Sequence, residues 1–241
     1  MKQVDIVIPV LNEEITLKPQ ISTLIAFCET EIKDVAYSIV IADNGSTDKT
    51  EVIAKQLSEN NDNVRYLKVS KKGVGLALKE AWKTSSADFV GYMDLDFATS
   101  LSHLPEAIKK INSNDVDIVY GSRLHKESKV IGRTVKREIT SRAFNTIIRL
   151  YFSSNISDGM CGFKFLKSSI VSDLIQHGAR SDGWFFCTEI LLVAERLGLR
   201  SFELPVTWTD DPNSKVNIKN LTIEYLKAMR TLKRLPEFHN A

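Results

Sequence analysis

Apolar and polar positions fall in alternating blocks along the first hundred residues. Val4 to Val10 is an apolar run of strand length, and Asn12, Glu13 and Glu14 followed by an apolar pattern through Ile25 and Phe27 predict a helix. Tyr37 to Ala42 predicts a second strand, ending in the polar loop IADNGSTDKT before a helix to about Ser58. Val64 to Val69 predicts a third strand, and KKGVGLALKEAW a glycine-containing turn opening another helix. Asp88 to Asp94 is the fourth strand. Strands alternating with helices imply an α/β protein with a doubly wound, mostly parallel sheet, whose ligands sit at the carboxyl ends of the strands.

After Asp96 the pattern changes. A helix from about Ser102 to Ile111 leads to a strand at Asp117 to Tyr120, then to the basic segment KVIGRTVKREITSRAFNTIIRLYF. Helical spacing puts Arg133, Arg137 and Ser141 on one face of that segment, with Ile139, Phe144, Ile147, Ile148 and Tyr151 as its apolar surface. SDGMCGFKFL reads as a loop entering a short strand, Trp184 to Gly198 as an amphipathic helix containing Glu189, and Leu199 to Trp208 as an edge strand. In the tail, Ile218, Leu221, Tyr225, Ala228, Leu232 and Leu235 form one stripe edged by Lys219, Lys227, Arg230, Lys233 and Arg234. That tail suits a packed terminal helix or a basic membrane-contacting one.

Chemistry concentrates at the predicted strand ends. Asp94 and Asp96 are separated only by Leu95; on a strand they would point to one side and could meet one divalent ion, and the same spacing suits a plain solvated turn. Asp43 could accept hydrogen bonds from a base or ribose, while Ser46 or Thr47 could cap the next helix. Gly73 and Gly75 fit either a phosphate-cradling loop or simple turn residues.

Composition narrows the partners. With 43% hydrophobic and 26% charged residues and only 11 Gly and 6 Pro, 241 residues suffice for one domain with a substantial core. A net charge of +2 is too small to point to nucleic acid. Three cysteines without metal-type spacing suggest a reducing compartment and no zinc site. The start MKQVDIVIPVLNEE reads as neither signal peptide nor membrane span, and no run approaches the roughly 18 apolar residues of a spanning helix. A soluble or peripheral protein is expected.

IVIPVLNEE, IADNGSTDKT, Asp94-Leu95-Asp96, the GSR at Gly121 to Arg123, the Arg137/Ser141/Arg142/Asn145 segment, DGMCGFK, Trp184 to Glu189 and DDPNSKV appear together and in order. In this the chain resembles the family 2 glycosyltransferases, and within them the polyprenyl-phosphate (dolichyl-phosphate) mannosyl- and glucosyltransferases. The resemblance runs from about Val4 to Val216. It implies a GT-A fold for residues 1–216, its sheet flanked by helices and carrying a short antiparallel extension, a basic amphipathic helix packed on or near it at 217–241, and inverting, metal-dependent transfer of a hexose from a nucleotide-sugar to a lipid phosphate. It implies that Pro9, Leu11, Glu13, Asp43 and Gly73 hold the donor nucleotide, with Ser214 and Lys215 near its diphosphate. It implies Asp94 and Asp96 as ligands of Mg²⁺ or Mn²⁺, Arg123, Arg137 and Ser141 at the acceptor phosphate, and Asp158 and Glu189 in support. A peripheral place on the cytoplasmic face of a membrane is expected.

Three positions depart from the family pattern: Asn44 stands for a frequent second Asp, Val74 for a usual Lys or Arg, and Cys187 for an Asp preceding the Glu by two. Members using hydroxyl acceptors typically carry a Thr-Glu-Asp base motif and a Gln-x-x-Arg-Trp motif. Here Thr188-Glu189-Ile190 is the nearest counterpart of the first and the second is absent, which favours a lipid-phosphate acceptor. The alternatives are a family 2 transferase acting on a saccharide hydroxyl and a non-catalytic nucleotide-binding module. The sequence leans to UDP-glucose over GDP-mannose and UDP-GlcNAc, without separating them.

Overall fold

In the computed structural model, residues 1–113, 115–210 and 218–238 are described. The elements run β1 (Gln3–Val10), α1 (Leu17–Glu31), β2 (Ala36–Asp43), α2 (Thr50–Glu59), β3 (Val64–Lys68), α3 (Val74–Lys83), β4 (Phe89–Met93), α4 (Leu104–Asn112), β5 (Ile118–Ser122), β6 (Lys129–Ile131), α5 (Val135–Phe152), β7 (Phe163–Lys167), α6 (Val171–Gln176), α7 (Phe186–Arg196), β8 (Ser201–Pro205), β9 (Thr207–Thr209) and α8 (Ile218–Lys233). The expected βα alternation is present through β4.

The main sheet has the order β3-β2-β1-β4-β7-β5-β8. Its strands are parallel except β7, which runs antiparallel between β4 and β5. From β1 the chain winds outward through β2 and β3, then returns to lay β4 on β1's other side. The carboxyl ends of β1 and β4 therefore flank the point where strand order reverses, the usual ligand crevice of such sheets. The expected antiparallel extension is an insertion: β7 brings the loop before it, residues 157–162, up against the end of β4.

Burial on both faces explains the near-continuous apolar strands. On one face α1, α2 and α4 cover Val4, Ile6, Ile8, Ile39, Ile41 and Phe89; on the other α3, α5, α6, α7 and α8 cover Val7, Val40, Val90 and Tyr92. The three cysteines are buried free thiols.

Three expectations change, and one left open is narrowed. The helix expected from Asn12 begins at Leu17, because Asn12 adopts a left-handed φ of 57° and the chain turns before coiling. Leu199 to Trp208 is not one edge strand: β8 joins the main sheet, whereas β9 pairs with β6 in a separate two-stranded ribbon. Arg133 lies ahead of α5, whose N-cap is Thr134, so it does not share a helix face with Arg137 and Ser141. The apolar stripe of the tail is core, since α8 buries Tyr225, Met229 and Leu232 against the α5 and α7 side.

Candidate active site

The β1 and β2 loops form one unit at the crevice. Asn12 N–H donates to Ser46 Oγ at 2.9 Å and its Oδ1 accepts the Thr47 N–H at 2.8 Å. Glu13 N–H donates to Thr50 Oγ1 at 2.7 Å, and Glu14 exchanges bonds with Asp48 and Lys49. Asn tolerates the left-handed conformation this crossing needs. Pro9 and Leu11 are half-buried beside it, and the Glu13 carboxylate accepts from Thr16.

Asp43 is 1% exposed, with one oxygen accepting the Ser46 N–H at 2.8 Å and the other the Tyr66 O–H at 3.0 Å. It is the keystone of this loop as well as a donor-site candidate. Asn44 has a defined task too: its Oδ1 accepts the Gly73 N–H.

The Gly73 loop is not an open phosphate cradle. A Cβ on Gly73 would lie 2.5 Å from the Asp182 carbonyl oxygen, and one on Gly75 2.4 Å from that of Ser181. Gly75 N–H donates to Gly183 O at 3.2 Å and Leu76 N–H to Asp182 O at 3.0 Å, so two of the N–H groups that usually greet an anion at a helix start are already paired. Lys79 fastens the same seam, donating to Arg180 O at 2.7 Å and to the Asp182 carboxylate at 2.6 Å. The glycines allow two backbones to touch.

Asp94 and Asp96 follow the last residue of β4 and share a turn rather than a strand face. Asp94 N–H donates to Gly162 O at 3.2 Å, Asp94 O accepts from Phe97 N–H at 3.3 Å, and Asp96 Oδ1 accepts from Ala98 N–H at 2.9 Å. Phe97 has φ 51°, a costly conformation for a bulky side chain. The Asp94 carboxylate rests on Gly162: a Cβ there would sit 1.8 Å from Oδ2.

Burial first, and then the charge of Asp96, push the Asp94 carboxyl up to about 7. Two crowded carboxylates, one reluctant to ionise, make a donor set that a hard divalent cation suits by supplying the missing opposite charge. Among the described residues no third His, Cys, Asp or Glu completes a protein cage, so remaining ligands would come from substrate oxygens and water.

Across the 158–162 turn lies a cationic side. Arg123 forks onto Asp158, with Nε to Oδ2 at 2.7 Å and Nη2 to Oδ1 at 2.8 Å, and its guanidinium stacks 4.8 Å from the Trp208 ring centre. Asp158 is fully buried, and though burial alone would raise its carboxyl, Arg123 holds it at about 2. Asp210 links the arginines: it pairs with Arg133 at 3.0 Å, accepts from Trp208 Nε1 at 2.9 Å, and its carboxyl, which burial alone would raise, is held below the usual range by Arg133, Trp208 and Arg137. Ser141, one turn beyond Arg137, has its Oγ screened from solvent with no hydrogen-bond partner among the described residues. Asn145 Oδ1 accepts from Gly159 N–H at 3.1 Å, docking α5 onto the turn.

Glu189 is held by the loop at Ser181. It accepts from Ser181 N–H at 2.8 Å and Ser181 O–H at 2.5 Å, bracing the loop over α3, and burial pushes its carboxyl up. Ser214 and Lys215 lie outside the described residues. Trp208 carried no motif in the sequence, and Asp210 entered only as the first residue of DDPNSKV; their roles here arise from β9 pairing with β6, a contact without local periodicity.

The description "Glycosyl transferase family 2" matches residues 5–175. The chain belongs to this family. Relatives include the glycosyltransferase AglD of Haloferax volcanii, 32% identical over 90% of this chain. Another is a dolichyl-phosphate beta-glucosyltransferase of Dictyostelium discoideum, 29% identical over 92% of this chain and 71% of that protein. The protein of the same description from Saccharomyces cerevisiae is 27% identical over 94% and 72%. The match spans only 34% of AglD, about a third of that protein's length. Among solved structures, glucosyl-3-phosphoglycerate synthase of Mycobacterium tuberculosis with Mn²⁺, UDP-glucose and phosphoglyceric acid superposes with a TM-score of 0.65. That alignment covers 96% of this chain and 79% of that one at 17% identity, a likeness of fold. The expected GT-A architecture is therefore present.

Proposed function

We propose that this family 2 protein transfers glucose, with inversion, from UDP-glucose to a polyprenyl phosphate. The observation that carries the reading is the opposition of two unlike sides across one turn: the Asp94/Asp96 carboxylates on one, and Arg123, Arg137 and the Ser141 hydroxyl, without a hydrogen-bond partner among the described residues, on the other. Curated relatives described as dolichyl-phosphate beta-glucosyltransferases support the sugar and the acceptor class. The fold neighbour holding UDP-glucose and Mn²⁺ supports the donor.

Asp94 and Asp96 would hold Mg²⁺ or Mn²⁺, which when bound neutralises charge developing on the departing diphosphate. The chain's other residues divide the remaining work. The β1 and β2 loops, with Pro9, Leu11, Glu13 and Asp43, form the wall against which the nucleoside packs. Arg137 and Ser141 orient an acceptor phosphate oxygen toward the anomeric carbon, while Arg123, fixed by Asp158 and Trp208, supplies fixed positive charge beside it. The bond from that oxygen to the anomeric carbon forms on one face as the bond to the leaving diphosphate breaks on the other, which inverts the centre.

A phosphate monoester, with its second pKa of about 6, is already largely ionised at neutral pH and requires no protein base. A hydroxyl acceptor would require one, and Glu189 is turned onto Ser181. Incubation with labelled nucleotide sugars, a divalent ion and polyprenyl phosphate tests the reading. UDP-glucose should give lipid-linked glucose, whereas extension of a soluble saccharide with no lipid product would favour the hydroxyl-acceptor reading.

A lipid acceptor brings a membrane, and no described helix is long and apolar enough to cross one. Helical spacing puts Val135, Ile139, Ala143 and Leu150 opposite the buried Asn145 and Ile148. Val135 is 76%, Ile139 63% and Leu150 78% exposed. Lys136, Arg142 and Arg149 flank this ridge, and α8 adds exposed Ile223 and Leu226 near Lys227 and Arg230. An apolar ridge edged by cations suits an anionic lipid surface, and α5 would then present Arg137 and Ser141 on its inner side. In flotation with phosphatidylglycerol-containing vesicles, the double variant Ile139→Asp/Leu150→Asp should stay at the bottom while keeping activity on a short water-soluble acceptor. Flotation equal to wild type would remove the ridge from the account.

A further inference from the structure

Lys164, near the start of β7, is the one lysine of the described core with no exposure at all. Its three ammonium protons meet three oxygens: Cys161 O at 2.6 Å, Gly159 O at 3.1 Å and Tyr92 Oη at 3.2 Å. None of the three is a carboxylate. Moving an ammonium out of water without a contact ion pair is costly, and such a group persists only where its environment is built around it. Two of these acceptors are carbonyls of the same five-residue turn, so residues 158–162 are wrapped around one cation.

That turn has two ends with different duties. At its start, Asp158 accepts from Arg123 Nε and Nη2 and also from the Arg123 N–H at 3.0 Å. At its finish, Gly162 O accepts the Asp94 N–H, and the bare Gly162 Cα leaves the space in which the Asp94 carboxylate lies. Lys164 holds the middle, and its charge lies within range of Asp94 and Asp158.

We infer that Lys164 is a positioning residue that fixes the Asp94 carboxylate and the Arg123–Asp158 pair relative to each other through the 158–162 turn. The inference rests on the proposed reading for the meaning of the two sides, but its geometry does not. Lys164 touches neither substrate in that reading; it sets the spacing between the groups that do. A purely electrostatic role makes the opposite forecast for a cation site, because removing a nearby positive charge should strengthen divalent-ion binding. Loss of positioning should weaken it.

Lys164→Met separates these cases and should fold, since both carbonyls keep another donor: Thr188 O–H to Gly159 O at 3.1 Å and Tyr92 O–H to Cys161 O at 3.3 Å. Hydrogen exchange of the intact protein should show the Asp94 and Arg123 amides, on two different strand ends, losing protection together by about tenfold while α1 keeps its own. Mn²⁺ affinity, read by electron paramagnetic resonance without nucleotide, should fall by about tenfold or more. If Lys164→Met proves too unstable, Tyr92→Phe, which removes one acceptor of the ammonium, should loosen the same two amides to a smaller extent.

Protection at both amides within about twofold of wild type, in whichever variant is folded, overturns the inference. Tighter Mn²⁺ binding also overturns it, since Lys164 would then act as a charge and not a scaffold. A protein that transfers no sugar yet shows the paired loss of protection keeps the Lys164 role and loses the transferase reading instead.

Discussion

Gly162→Ala, the addition of one methyl group, is expected to lower kcat/KM for sugar transfer by about 10²- to 10³-fold, the cost of displacing one preorganised electrostatic group. The added carbon would lie 1.8 Å from Asp94 Oδ2 and 2.3 Å from its Cγ. Asp is short, and its backbone is fixed by the Asp94 N–H to Gly162 O bond, so the carboxylate must swing out of the crevice. Asp94→Asn should give a comparable loss by removing the charge instead of moving it. Kinetics with labelled donor, beside thermal melts, separate this from unfolding: the melt should move far less than the activity. Unchanged kcat/KM in folded Gly162→Ala would mean that the place of the Asp94 carboxylate is irrelevant to catalysis.

The second large effect is on stability. Asp158→Ala should cost about 3–5 kcal/mol, because it leaves the Arg123 guanidinium, whose side chain is 10% exposed, without its partner. Denaturant unfolding measures this directly. Replacing both residues at once, Arg123→Met with Asp158→Leu, should recover much of the stability, as apolar replacement of a buried pair often does, without recovering transfer. The pair also sets a pH dependence. The Asp158 carboxyl titrates at about 2 when folded against an ordinary 3.8, so its contribution is complete above about pH 4 and is lost as pH falls toward 2. Midpoints that do not fall across that window, or a single variant no less stable than wild type, would contradict the assignment.

Much of the fold was legible because buried parallel strands write themselves as uninterrupted apolar runs and their loops as polar stretches. Val4 to Val10, Tyr37 to Ala42 and the run into Met93 are of that kind, and their order placed Asp43 and Asp94 at one edge. What was not legible depends on contacts between distant segments. Gly73 and Gly75 look like an anion loop until residues 181–183 are seen lying on them. Arg133 has helical spacing from Arg137, yet Thr134 starts the helix after it. β7 reads as a short strand, and nothing local says that it enters the sheet backwards between β4 and β5. That single insertion sets Gly162 under Asp94 and Asp158 beside Arg123, and so makes one site of two motifs more than sixty residues apart. Lys164 was visible only as the end of a motif; its meaning is carried by main-chain carbonyls, which leave no mark in a sequence.

The central claim, that a sugar passes from a nucleotide held at Asp94 and Asp96 to a lipid phosphate held by the arginines, is most directly tested by solvent partition. Wild-type protein and Asp96→Asn are each incubated with UDP-[¹⁴C]glucose, Mg²⁺ or Mn²⁺ and undecaprenyl phosphate, and the label entering the organic phase is counted with and without a chelator. The account predicts organic-phase label for wild type with metal, released as glucose by mild acid, and little for the chelated or Asp96→Asn samples. Label that stays in the aqueous phase for every donor tried, or that enters the lipid equally well after chelation and with Asp96→Asn, would contradict it.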